Sequence, residues 1–165
     1  MKHTWINCRT MLAHLQLEDY WIEELTFRDV GLPSSDSPSN RPALPRVEFT
    51  VSPSDADDDE QVFFVGLRVV AGKAQVLRGV PYEFRIQVSG VFTVSDDVKD
   101  EAARYRLVHL NGPAMLYGIA RSAIGTVTAM GHKTKYILPS INIIDVWKRQ
   151  QRRAKRLAPE RVILD

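Results

Sequence analysis

The chain reads as an α+β domain: a four-stranded antiparallel sheet, a long helix packed on one face, and a second C-terminal helix. Three observations predict it. Segments that alternate apolar and polar residues fill the chain up to Val94, and helical spacing takes over after Asn111. Strands followed by helices, rather than interleaved with them, favour α+β with the helices gathered on one side of the sheet. The segment Tyr82 to Val94 alternates so regularly that one of its faces is buried and the other wet, as in antiparallel sheets. A length of 165 residues fits one domain, 1–165, with a core over about 20–150 and a basic tail at 148–165.

Taken in order, residues 1–19 suggest a short helix carrying Trp5, Met11, Leu12 and Leu15. Tyr20 to Val30 is the first strand, with Trp21, Leu25 and Phe27 on one alternating face. The Pro/Ser/Asn-rich stretch that follows is a long loop. Arg46 to Val51 is the second strand, sorting Val47, Phe49 and Val51 from Arg46, Glu48 and Thr50. Ser52 to Asp59 is an acidic, solvated turn. Gln61 to Ala71 is the third strand, with Phe63, Val65, Leu67 and Val69 on one face. Gly72 to Pro81 is a connector, and Tyr82 to Val94 is the fourth strand. Gly66 and Gly90 lie inside strands, where glycine marks a bulge or a close backbone approach. Asp96 to Asn111 is a linker with a short helix, and a terminal helix starts near Ile143.

The long helix is the most informative stretch. Between Gly112 and Gly131, at about 100° per residue, Met115, Leu116, Ile119, Ala120, Ala123, Ile124, Val127 and Met130 fan across one half of the cylinder. Gly118, Ser122, Gly125 and Ala129 form a strip of small residues on the other side. Large residues suit packing on a sheet. Glycine in a helix interior costs roughly 1 kcal/mol against alanine, so the strip implies a second close neighbour, such as another subunit.

The series Pro113, Met115-Leu116-Tyr117, Ala120-Arg121, Gly131, Leu138-Pro139 and Ile141-Asn142 is similar to a characteristic segment of the SecB family of protein-export chaperones. Ser140 departs from that pattern, which has a second proline, and so does His132-Lys133-Thr134, where the family has an aromatic residue and a proline. The resemblance covers roughly Tyr20 to Gln150 and is clearest after Asn111. It implies a four-stranded sheet, a long helix and a mobile second helix, assembled as a homotetramer that is a dimer of dimers. It also implies that Val47, Phe49, Val51, Tyr136, Leu138 and Trp147 line an apolar channel for unfolded or newly made proteins, and that no cofactor takes part. On the sheet's exposed face the family presents carboxylates to the translocation ATPase SecA. Of the matching positions, Glu24 keeps an acid, Arg28 and Arg85 stand where the family has carboxylates, and Glu83 where it has an apolar residue. Weak SecA binding is therefore expected.

Composition bounds the alternatives. Apolar residues make up 44%, enough for a core, and no apolar run reaches a membrane span. The first residues lack a signal peptide's apolar centre and cleavage site, and the single cysteine, Cys8, suits a reducing compartment, so a cytoplasmic location is expected. His3, His14, His109 and His132 show no metal-ligand spacing with one another or with Cys8. Asp55 to Glu60 lacks the alternation, glycine and closing glutamate of a calcium loop. There is no nucleophile elbow and no phosphate-cradling loop. An enzyme is not expected. Net charge is +2, but Lys148, Arg149, Arg152, Arg153, Lys155 and Arg156 form a dense basic segment. A solvated helix end accounts for such a run. The competing readings are a SecB-like chaperone dedicated to one client, such as an antitoxin, and a nucleic-acid-binding protein that uses this segment.

Overall fold

The computed structural model describes residues 13–30, 44–54, 61–131 and 135–157. Its elements are β1 (Leu15–Asp29), β2 (Arg46–Pro53), β3 (Val62–Ala71), a one-turn α1 (Lys73–Val76), β4 (Tyr82–Val94), α2 (Glu101–Ala129) and α3 (Ile143–Leu157). All four strands join one antiparallel sheet in the order β1-β4-β3-β2, which leaves β1 and β2 as its edges. The α+β arrangement expected from the sequence is the one observed. Leu15–Asp19, expected to be helical, opens β1 instead, and residues 1–12, 31–43, 55–60, 132–134 and 158–165 lie outside the described part.

The core lies on one sheet face. Phe63, Val65, Leu67 and Val69 of β3 are buried there beside Tyr82, Phe84, Ile86, Val88, Phe92 and Val94 of β4. Fully burying each such side chain contributes about 1.5–3 kcal/mol relative to leaving it in water. Gly79, at φ 101°, turns the chain from α1 into β4, and no side chain adopts that conformation without strain.

β1 does not alternate simply. Its register against β4 shifts between Leu17 and Asp19 and again between Ile22 and Glu24, so Glu18 and Glu23 are extra residues. Each bulge reverses which parity faces the core. Trp21 therefore pairs with Ser89 on the outer face, whereas Leu25 and Phe27 pair with Ile86 and Phe84. This corrects the single face expected for those three residues. The bulge carboxylates serve β4: Glu18 accepts from the Thr93 hydroxyl, and Glu23 from the Ser89 hydroxyl and the Gln87 amide.

The long helix begins well before Gly112. Asp100 caps it, its carboxylate accepting from the Ala103 N–H at 2.9 Å, and Glu101 adds charge at the positive end of the dipole. What the sequence suggested as a linker with a short helix is the first part of one continuous α2 of 29 residues, with Pro113 inside it rather than at its start. The buried stripe is Val108, Gly112, Leu116, Ala120, Ile124 and Thr128, one residue in four, flanked by Pro113, Tyr117 and Gly125. Met115 and Met130, expected on the sheet side, are 40% and 77% exposed. The stripe follows the smaller residues because the helix comes very close to the sheet. A Cβ on Gly112 would meet the Val65 side chain at 3.0 Å, and one on Gly90 would meet Leu116 at 3.1 Å. The close approach expected at Gly90 is thus real, and Gly66, which no register shift marks, is crowded as well: a Cβ there would meet the Thr50 hydroxyl at 2.9 Å.

Candidate functional site: the C-terminal helix over the β2 edge

After α2 the chain crosses back through residues 135–142, and side chains of α2 hold that connector. The Thr128 hydroxyl, fully buried, accepts from the Tyr136 N–H at 3.0 Å and donates to the Ile124 carbonyl at 2.7 Å. Tyr117 donates its phenol to the Pro139 carbonyl at 2.6 Å, and Arg121 reaches the Ser140 hydroxyl at 3.3 Å. Leu138, between these ties, is completely buried. Burial pushes the Tyr117 phenol up to about 12; the nearby Tyr136 adds to the rise and Arg121 opposes it. Burial raises Tyr136 as well.

Asn142 then caps α3, its side chain accepting from the Ile144 N–H at 3.0 Å. Ile143, Val146 and Trp147 turn inward, and Trp147 lies 5.3 Å from the His109 ring on α2. Farther along, α3 meets the β2 edge. Gln150 accepts from the Phe49 N–H at 3.2 Å and donates to the Phe49 carbonyl at 2.8 Å. Arg153 pairs with Glu48 at 3.1 Å, with both side chains largely exposed. The basic residues Lys148 to Arg156 are thus part of a helix laid across a strand edge, not a trailing tail.

Between α3 and β2 runs a groove of about 800 Å³. Val47, Phe49 and Val146 give it an apolar side, and Arg46, Arg68, Arg149 and Arg153 surround it. Of the six residues expected to line a channel, Val47 and Phe49 reach this groove, though Phe49 is only 6% exposed. Val51, Tyr136 and Trp147 pack half-buried against the core, and Leu138 belongs to it. Sequence reasoning missed Gln150; no motif distinguishes this glutamine within a polar helix.

The strip of small residues divides. Gly118, Ser122 and Ala129 are exposed, and a Cβ on Gly118 would meet nothing within 4 Å, whereas Gly125 is buried beside Lys135. The four positions matched to a SecA-facing surface come together on the outer sheet face in two cross-strand ion pairs, Glu24 with Arg85 at 3.4 Å and Arg28 with Glu83 at 4.0 Å. Edge strand β1 also exposes Tyr20, Trp21, Ile22 and Leu25, each by 38% or more. Among the described residues there is no cluster of metal-binding side chains, and no helix is long and apolar enough to cross a membrane.

The family model of the preprotein translocase subunit SecB matches residues 10–154, and the chain belongs to that family of protein-export chaperones, which are not enzymes. Two curated relatives agree, both named protein-export protein SecB. The one from Bradyrhizobium diazoefficiens is 25% identical over 133 residues, 81% of this chain and 80% of its own. The one from Nitrobacter hamburgensis is 24% identical over the same lengths. Among solved structures, the chain is similar to a SecB-like chaperone of Mycobacterium tuberculosis in complex with a peptide from the HigA1 antitoxin, at TM-score 0.46 and 14% identity, covering 78% of this chain and 91% of that one. A Streptococcus agalactiae protein of unknown function is similar at the same score and identity, over 77% of this chain and 97% of that one.

The tied connector has a pH signature. An unfolded tyrosine titrates near 10.0 and folded Tyr117 near 12, so the unfolded state loses this proton first and stability falls as pH rises through that window. Tyr117→Phe should cost about 1 kcal/mol at neutral pH through the lost hydrogen bond, yet lose less further stability than the native protein on going to high pH. Urea denaturation at neutral pH and in that alkaline window checks both; equal alkaline losses would refute the assignment.

Proposed function

We propose that this protein is a cytoplasmic, ATP-independent holdase that keeps unfolded or newly made chains from aggregating. The observation that carries the reading is the groove under α3, with its apolar side of Val47, Phe49 and Val146, in a chain of the SecB family. Burial of apolar surface is non-directional and gains about 25 cal/mol per Å², so it suits clients of unrelated sequence. The apolar side of the groove, Val47, Phe49 and Val146, supports protein clients over nucleic acid. A single dedicated client, such as an antitoxin, would use the same groove.

The test is aggregation of a denatured model enzyme, followed by light scattering without nucleotide. The native protein should suppress it. Val47→Ser combined with Val146→Ser should weaken protection with the circular dichroism unchanged, since both side chains line the groove and neither is fully buried. Absence of protection by the native protein would end this reading.

The assembly we propose is a homotetramer, a dimer of dimers, using the exposed part of the strip at Gly118, Ser122 and Ala129, with Gly125 beneath it. The exposed apolar residues of edge strand β1 offer a second contact. Gly118→Trp has room in the subunit, because nothing approaches its Cβ. It should therefore leave the subunit folded and split the assembly, which sedimentation analysis would read as smaller particles. A native protein that sediments as a monomer would contradict it.

Toward SecA we expect weak binding or none. Two acidic positions of the family carry Arg28 and Arg85 here, and both are tied to local carboxylates. Like charges meeting across an interface cost several kcal/mol. Titration calorimetry with the SecA of the same organism measures this, and micromolar or tighter binding abolished by Glu24→Lys would show the expectation to be mistaken.

A further inference from the structure

The bonds between Gln150 and Phe49 have an unusual form. A glutamine side-chain amide carries a C=O acceptor and an NH2 group with two N–H donors, and here the oxygen and one of those N–H groups bond the N–H and C=O of one edge-strand residue, as a peptide group would. In an antiparallel sheet a residue exchanges this same pair of bonds with the residue opposite it on the next strand. Gln150 thus stands where the backbone of a further strand beside β2 would stand. By the alternation of the strand, the N–H and C=O of Val47 and Val51 point outward on the same side as those of Phe49.

The rest of the contact between α3 and β2 is light. Its ion pair, Arg153 with Glu48, is largely exposed, and such pairs add little. Among the described residues the charges that line the groove are one-sided: Arg46, Arg68, Arg149 and Arg153 against the carboxylate of Glu48.

We propose that the β2 edge is a docking site for an extended polypeptide segment carrying carboxylates, added to the sheet as a strand, and that Gln150 is its placeholder. The proposal rests on the client-binding reading above and deepens it by naming the client's chemistry. The geometry dictates a pattern. A client residue that exchanges bonds with Phe49 places its side chain on Phe49's face, toward the core and α2, and must be apolar. Its neighbours fall on the outer face, which carries Arg46, Glu48 and, across from Glu48, Arg68. Opposite Glu48 a client carboxylate meets a like charge, with Arg68 and Arg153 beside it; opposite Arg46 it meets a guanidinium directly, so the groove's surplus of guanidinium groups favours Asp or Glu on this face. Backbone bonds supply affinity that does not depend on sequence, and the alternate side chains supply the preference.

The experiment uses the full-length protein and labelled peptides of alternating valine and glutamate, read by fluorescence anisotropy. The valine–glutamate peptide should bind, and a valine–lysine peptide at least tenfold more weakly. N-methylation of the valines removes the N–H groups facing β2 and should abolish binding. N-methylation of the glutamates faces solvent and should be tolerated. Gln150→Ala removes the competing amide and should tighten binding several-fold. Equal binding of both N-methylated peptides overturns strand addition, equal binding of the lysine peptide overturns the acidic preference, and unchanged affinity in Gln150→Ala overturns the placeholder. If denatured enzyme is still held while the N-methylation pattern is absent, this inference alone fails. If neither denatured enzyme nor peptide is held, the holdase reading fails with it.

Discussion

The rest of the structure depends on how closely α2 lies on the sheet. Two glycines on facing elements set that distance: Gly112 on the helix, against Val65, and Gly90 on β4, against Leu116. With no Cβ at either point, Leu116, Ala120 and Ile124 seat directly on β3 and β4 and are fully buried. Overpacking at such a contact typically costs 1–3 kcal/mol. The depth of this seat fixes where Tyr117 and Thr128 present their hydroxyls. Those hydroxyls hold the connector, and the connector decides where α3 can reach.

Two grades of attachment follow. The connector is anchored by a buried leucine and by satisfied hydrogen bonds, where breaking one leaves a polar group stranded. α3 is held at its start by Ile143, Val146 and Trp147 against the core, and farther along by the Gln150 amide and an exposed ion pair, which water or another chain can replace. Regions of few buried contacts open at low free energy, and elements that move for function come from that end of the scale.

Much of this fold was legible in the sequence because its signals are local. The bounds of β4 agree with the alternation of Tyr82 to Val94, and β2 and β3 differ from expectation by one or two residues at an end. β1 was misread because a bulge leaves no trace in composition: Glu18 and Glu23 look like ordinary polar positions until β4 is laid beside them. The early start of α2 was missed because Pro113 suggests a helix beginning, whereas packing against the sheet carries the helix through it. The groove was half legible. Val47 and Phe49 stood out as apolar, but the contact that shapes the site joins residues 101 positions apart through a glutamine with no local signature.

The bulges of β1 have a consequence for the chain before it finds any partner. A 15-residue edge strand bearing Tyr20, Trp21, Ile22 and Leu25 is the kind of segment that stacks indefinitely with copies of itself. Cross-β stacking needs a straight strand with constant parity, and Glu18 and Glu23 interrupt both, twice, with a negative charge at each break. Two insertions that look like irregularities thus oppose such stacking at an exposed sheet edge.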